Sequence, residues 1–316
     1  MMRQEAGGRL YLRRGFETVR SRLRAGTETL ARAQVESARL DAEVLLAAAL
    51  SRRREDLYTF GCDEEMTEEQ SACYQRMLAR RARREPVAYI VGMREFWSLS
   101  FSVTPGVLIP RPETELLVEL ALKACNAHEL TAERPIRVLD LGAGSGAIAV
   151  SLAKERDDVE VWGTDLAPEA VEAATLNARR HGVDGRSHFL FGDLFFPVRG
   201  RESFFHVIVS NPPYIRRAEI GQLPIDVRGW EPAMALDGGI DGLDFYRLIV
   251  AQAPTYLADG GCVLVEIGAD LGPEVCGLFA ASGRYCGCEI HLDYAQRPRV
   301  VSARKAPSHD ASANGN

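Results

Sequence analysis

The sequence predicts an α/β domain with a parallel sheet covered by helices on both faces, preceded by a small helical bundle. Three observations predict it. From Pro135 onward, short Val, Ile and Leu runs alternate with stretches of helical character, the pattern of βαβ units. Between Phe16 and about Arg84, Gly and Pro are scarce while Ala and Arg abound, which favours helix. Glycines follow directly on the first apolar run, where open α/β sheets turn toward a ligand. A chain of 316 residues can hold one large domain or two smaller ones.

The elements follow in chain order. Leu40, Val44, Leu45 and Ala48 recur at helical spacing, so the bundle is expected over residues 1–86, ending before Pro86. Over 87–112, Phe96, Trp97, Leu99, Phe101 and Val103 alternate with smaller or polar residues, which predicts a hairpin or extended connector closed by Pro105, Pro110 and Pro112. The main domain is expected over 113–305. A helix starts near Thr114. Strands are expected at Ile136–Leu141, Val159–Gly163, Phe189–Phe191, Val207–Val209 and Val263–Ile267. Helices are expected at Ala147–Glu155, at Pro168–His181 with Pro in its first turn, and at Gly242–Tyr256. The Ser-, Ala- and Asn-rich end, residues 306–316, reads as a disordered tail.

Composition narrows the class. With 46% hydrophobic and 26% charged residues the chain can bury a core without staples, and no apolar run reaches the ~18 residues of a membrane helix. The N-terminus has arginines but no apolar stretch of a secretory signal; its Arg-bearing first ~15 residues leave an organelle transit peptide open. The net charge of −6 argues against stable nucleic-acid binding. Charge is uneven: residues 1–90 hold 17 Arg against 14 Asp and Glu, with clusters at Arg52–Arg54 and Arg80–Arg84. Those clusters are either solvated helix faces or a docking surface. Seven scattered cysteines without paired CxxC units read as reduced thiols in a cytoplasmic protein, with no metal site; Cys286 and Cys288, two apart in a strand, would share one face.

The first chemical signal is Val138-Leu139-Asp140-Leu141-Gly142-Ala143-Gly144-Ser145-Gly146. Glycines at alternate positions let the backbone turn tightly and approach a ligand. The spacing is G-x-G-x-G, unlike the G-x-G-x-x-G that aims a helix N-terminus at a pyrophosphate. It suits a ligand without phosphate, such as S-adenosylmethionine with its carboxylate, ammonium and sulfonium; a plain strand–helix turn is the alternative. Asp165, at the end of the second strand, can accept both ribose hydroxyls, or cap the next helix. After the third strand, Asp193 can hold an adenine amino group and Leu194 can pack on the ring, unless Gly192–Phe195 is only a surface turn.

Val207–Ser210 then delivers Asn211-Pro212-Pro213-Tyr214. The nitrogen of an amide or arylamine is a poor nucleophile because its lone pair is delocalised. The Asn211 side-chain oxygen and the Pro212 carbonyl can accept its two N–H bonds, aim the lone pair at a methyl group and stabilise the charge that develops. Tyr214 can stack on the planar group. A sulfonium is already a good leaving group, so neither metal nor strong base is needed.

Together the glycine loop, Asp165 and the Asn-Pro-Pro-Tyr loop resemble class I N-methyltransferases. Phe96-Trp97-Ser98-Leu99-Ser100-Phe101, Leu108-Ile109-Pro110-Arg111-Pro112-Glu113-Thr114-Glu115, and Glu231-Pro232 through Ala235-Leu236-Asp237-Gly238-Gly239 with Asp241-Gly242-Leu243 resemble the peptide release factor glutamine methyltransferases, PrmC/HemK. The similarity runs from about Leu40 to Val301. It implies a Rossmann-like seven-stranded class I methyltransferase domain, a hairpin linker and a helical N-terminal domain that recognises the partner. The implied reaction moves a methyl group from S-adenosylmethionine, leaving S-adenosylhomocysteine, to the glutamine amide of the Gly-Gly-Gln motif in class-1 peptide chain release factors. Cofactor contacts would fall on Gly142, Ala143, Gly144, Ser145, Gly146, Asp165, Asp193, Leu194 and Asn211. Glutamine contacts would fall on Asn211, Pro212, Pro213 and Tyr214, with Phe101 packing on the amide. Leu194 stands where some relatives carry Trp, and the first ~15 residues lie outside the resemblance.

Two other readings use the same loops. A nucleobase N-methyltransferase acting on adenine N6 or guanine N2 would use Asn-Pro-Pro-Tyr alike, but such enzymes need a basic groove, and the portion after residue 90 is acidic. A non-catalytic cofactor-binding protein would not need Asn211.

Overall fold

The computed structural model describes residues 18–59, 64–128 and 135–307. The first unit runs to Val91 and the second from Gly92.

The first unit contains α1 (Val19–Arg32), α2 (Ala38–Ala49), α3 (Asp56–Thr59), α4 (Glu68–Ala82) and α5 (Val87–Val91). Thr18 caps α1, and Thr67 with Gln70 forms a reciprocal capping box on α4. Leu30, Leu45, Leu46 and Tyr74 are fully buried between the helices. The apolar stripe expected on α2 is rotated. Leu40 is 46% exposed, whereas Ala38, Asp41, Ala42, Leu45 and Leu46 face the core. The reason is polar: Asp41 accepts from Arg81 Nε at 2.7 Å, and both side chains are buried. A hydrophobic count alone places such a pair outside.

Of the basic clusters, only Arg81 is buried; most of the others make ion pairs or hydrogen bonds at the surface. Arg81 also donates to the Glu85 carbonyl, Arg80 bonds Glu85, and Arg84 donates to the Gln34 carbonyl. Arg52 pairs with Glu64 and Arg53 with Asp56. Arg83 is exposed. Arg80, Arg81 and Arg84 therefore fasten the end of α4 to its surroundings, while the Arg52–Arg54 cluster is a solvated face.

The second unit opens with a hairpin, β1 (Met93–Phe96) and β2 (Leu99–Ser102), turning at Trp97 and Ser98 with φ of 52° and 56°. Positive φ on two non-glycine residues is strained. Glu115 accepts the Trp97 backbone N–H, and Glu155 accepts its indole N–H, which holds the turn. The elements that follow are α6 (Glu115–His128), β3 (Ile136–Leu141), α7 (Ala147–Glu155), β4 (Val159–Asp165), α8 (Pro168–His181), β5 (Ser187–Phe191), β6 (Phe205–Ser210), α9 (Ile225–Arg228), α10 (Asp244–Tyr256), β7 (Leu257–Glu266), α11 (Gly272–Ser282), β8 (Tyr285–Leu292) and β9 (Pro298–Lys305).

Seven strands form one sheet in the order β5-β4-β3-β6-β7-β9-β8. β3 to β7 pair in parallel, and β9 pairs antiparallel with both β7 and β8. The sheet is thus mixed, where strand–helix alternation had predicted a parallel one. β8 and β9 close the chain as an antiparallel pair that carries no βαβ pattern. Along β3 the side chains divide by the two-residue period. Val138 joins the core under α6, α7 and α8, while Leu139 and Leu141 join the core under α10 and α11. Cys286 and Cys288 do not share a face. Gly287, with φ 62°, lies in a register shift, leaving Cys286 exposed and Cys288 packed against the core. Of the expected tail, residues 308–316 lie outside the described residues.

Candidate active site

Strand order reverses between β3 and β6, and both strands end at one cavity of about 350 Å³. Such a switch point leaves a crevice at the carboxyl edge because successive crossovers run in opposite directions. The wall takes residues from the segment 106–114, the loop after β3, the ends of β4 and β5, the loop after β6 and the segment 232–237.

The loop after β3 is fixed by β4. Gly142 and Ala143 both donate to the Thr164 carbonyl, at 2.8 and 3.0 Å, and Gly144 N donates to Asp165 Oδ2 at 2.8 Å. Gly142 and Gly144 have positive φ, and a Cβ on either would stand in open space. The turn needs glycine for conformation there, and the side left bare is free for a ligand. Gly146, also at positive φ, serves packing: a Cβ there would come within 2.9 Å of Ala174 Cβ on α8. Gly142, Ala143, Gly144 and Ser145 line the cavity, and Gly146 stands behind them at the N-cap of α7.

Asp165 lines the cavity and also accepts from Ala167 N at 2.9 Å. Burial pushes its carboxyl above the usual range, and the N–H groups of Ala167 and Gly144 partly offset that. Asp193 and Leu194 line the same wall, with Leu194 at φ 41°. Asp140, two residues before the loop, is wholly buried, and neither carboxyl oxygen makes a well-formed hydrogen bond among the described residues. Burial pushes it up to about 7, with the Ala149 N–H opposing the shift and Asp165 adding to it.

At the end of β6, Ser210 Oγ donates to the Leu141 carbonyl at 2.7 Å, which ties the two loops together. Asn211, Pro212 and Pro213 line the cavity. Asn211 Nδ2 donates to Thr114 Oγ1 at 3.2 Å, leaving Oδ1 without a partner among the described residues. The segment 235–239 buttresses this loop. Gly238 N donates to the Ile215 carbonyl, and a Cβ on Gly238 would meet Tyr214 Cα at 2.7 Å, so only glycine fits. Opposite, Glu231 is buried, takes the Arg111 guanidinium at 2.5 Å and the Ile109 N–H at 3.4 Å, and so ties 108–111 to 231–232.

Besides Gly146, two further candidate residues are not on the wall. Tyr214 packs with the core under α10 and α11, and burial pushes its hydroxyl up to about 12. Phe101 is fully buried against Phe96 and the His181 ring, because the pleat of β2 aims it at the core. Three side chains at the site were not singled out from sequence: Thr114, Glu266 and Asp140. An acid inside each of the apolar runs Val138–Leu141 and Val263–Ile267 was the available signal for two of them.

A model of the PrmC N-terminal domain matches residues 22–92, and a model of the methyltransferase small domain matches residues 121–223. The release factor glutamine methyltransferase of Geobacter sulfurreducens is 46% identical over 275 residues, covering 87% of this chain and 92% of that protein. The one from Moorella thermoacetica is 42% identical over 286 residues, covering 90% and 98%. The one from Bradyrhizobium diazoefficiens is 40% identical over 291 residues, covering 92% and 96%. Such identity across nearly the whole of both chains places this methyltransferase in the release factor glutamine methyltransferase family.

Proposed function

We propose that this enzyme transfers a methyl group from S-adenosylmethionine to the side-chain amide nitrogen of the glutamine in the Gly-Gly-Gln motif of class-1 peptide chain release factors. One observation carries the reading: a single cavity wall holds both the Gly142–Ser145 turn and the Asn211–Pro213 turn, with Asn211 Oδ1 unpartnered. The family's substrate name supports the identity of the acceptor.

The residues fit the cofactor. Bare glycines at 142 and 144 leave room for it, Asp165 keeps free lone pairs for ribose hydroxyls, and Asp193 and Leu194 lie where an adenine would rest. When bound, S-adenosylmethionine supplies a methyl group on an activated sulfonium.

Asn211 Oδ1 and the Pro212 carbonyl accept the two N–H bonds of the glutamine amide and turn its lone pair toward the methyl group. Both acceptors strengthen their hold as positive charge grows on nitrogen, so they favour the transition state over the ground state. Tyr214 backs the turn from the core side. No helix among the described residues is long and apolar enough to cross a membrane.

The test is incubation of the full chain with labelled S-adenosylmethionine and purified release factor, followed by mass spectrometry of the Gly-Gly-Gln peptide. A methyl group on the glutamine amide is the expected result. Label on RNA or on another residue, with that glutamine unmodified, overturns the reading.

A further inference from the structure

From the cavity wall at Asn211 and Thr114, a chain of hydrogen bonds that the mechanism above does not use runs inward to Glu266. Thr114 Oγ1 donates to Glu266 Oε2 at 2.6 Å, and Asn211 Nδ2 donates to Thr114 Oγ1 at 3.2 Å. Thr114 is 5% exposed and Glu266 is 1% exposed, so water does not substitute for either bond. Glu266 ends β7, Thr114 immediately precedes α6, and Asn211 follows β6; three separate elements converge to make the chain.

Its direction has a consequence. A hydroxyl carries one proton. While Thr114 gives that proton to Glu266, it can only accept from Asn211, so the amide must turn its nitrogen to Thr114 and its oxygen elsewhere. Freed from Thr114, the Asn211 amide could flip and present Nδ2 to the incoming NH₂ group, setting donor against donor.

We propose that Thr114 and Glu266 are positioning residues that lock Asn211 as a hydrogen-bond acceptor, and so make the site select an amide NH₂ over a carboxylate. The inference rests on the glutamine-amide reading. During methyl transfer the pull on Asn211 Oδ1 is relayed through Nδ2–H and the Thr114 hydroxyl to the Glu266 carboxylate, because linked hydrogen bonds polarise one another. No bond to Glu266 forms or breaks. Protonation of Glu266 at Oε2 reverses the chain: Glu266 then donates, Thr114 turns its proton to Asn211, and the amide oxygen is drawn away from substrate. Burial raises the Glu266 carboxyl to about 7; Thr114, Arg299 and the Tyr214 hydroxyl oppose that shift, and Glu113 adds to it. The Tyr246 hydroxyl meets only the backbone carbonyl of Glu266.

The test compares Thr114→Val, Thr114→Ser and Glu266→Gln in the full chain, with release factor and S-adenosylmethionine as substrates. Thr114→Val should lower kcat about 10- to 100-fold, the scale on which outer-shell partners act. Its methyl-donor Kd by calorimetry should stay within about threefold, since the Gly142–Ser145 turn and Asp165 are left untouched. Thr114→Ser should recover most of the lost kcat. Glu266→Gln, whose amide oxygen can still accept from Thr114, should lose the fall in kcat expected of the parent as pH drops through about 7. Wild-type kcat in Thr114→Val, equal slowing in Thr114→Ser, or an unchanged pH limb in Glu266→Gln each overturns the proposal. A parent enzyme that leaves the release factor unmethylated overturns instead the reading on which it rests.

Discussion

Asn177 Nδ2 on α8 donates to the Ser145 carbonyl at 2.9 Å, so a fully buried amide holds the glycine loop from behind. The same side chain reaches the hairpin: its second N–H goes to the Ser102 carbonyl at 3.1 Å, and its oxygen accepts Ser102 N at 2.8 Å. Every hydrogen-bonding proton of the amide is used. The hairpin and the ligand loop are therefore braced by one residue.

Asn177→Leu should strip three bonds at once and leave the Ser102 and Ser145 groups unsatisfied in the interior. The expected loss is about 2–4 kcal/mol of unfolding free energy in urea, given roughly 1–3 kcal/mol for each orphaned group and some relaxation. Weaker S-adenosylmethionine binding should accompany it. A variant as stable as the parent would show that the brace is idle.

Asn211→Ala removes an acceptor that acts on the reacting nitrogen. Turnover should drop by roughly 10²-fold or more, with methyl-donor affinity within a few-fold, as expected for a contact made in the transition state. Steady-state kinetics beside calorimetry separates the two. Near-normal turnover would contradict the assigned role.

Asp165→Ala should act on the other ligand. It removes the acceptor for Gly144 N and the proposed ribose contact, so the Kd for S-adenosylmethionine should rise on the order of 10- to 100-fold, the worth of a hydrogen bond to a charged group. Unchanged binding would move the ribose elsewhere.

Asp140 gives a pH signature. Burial raises its carboxyl to about 7, above the range of the unfolded chain, so the folded protein holds this proton more tightly. The resulting stabilisation is complete below about pH 4 and is lost as pH rises through about 7. Asp140→Asn cannot ionise. Its melting temperature relative to the parent should therefore climb between pH 5 and pH 8. Parallel melting curves at the two pH values would rule this out.

In the first unit, Arg81→Met should cost about 3–5 kcal/mol because it strands Asp41 without a partner in the interior. Adding Asp41→Leu should recover much of that loss. Equal destabilisation in the single and double variants would mean that packing, not charge, dominates there.

The local grammar of the chain was legible before any coordinates. Helices α7 and α8 and strand β3 were placed at their observed limits, because a Pro at the start of α8, the glycines before α7 and a short Ile, Val and Leu run each have a local cause. The glycine loop, Asp165 and Asn211 were legible for the same reason: each sits at a strand end, and strand ends of a parallel sheet face one edge. By contrast, β8 and β9 were not found, since an antiparallel pair at the sheet border shows no βαβ rhythm and Gly287 breaks its alternation.

Sequence alone determined which turns line the cavity, because chain stiffness at Pro212 and Pro213 and freedom at Gly142 and Gly144 are properties of the residues themselves. Tertiary structure decided which side chains stand behind those turns. Whether Arg81 is solvated or buried, whether Phe101 reaches a ligand or a core, and whether Thr114 can join Asn211 to Glu266 all depend on contacts between residues 40 to 152 positions apart. Such contacts exist only once separate elements have packed, and no local pattern encodes their geometry.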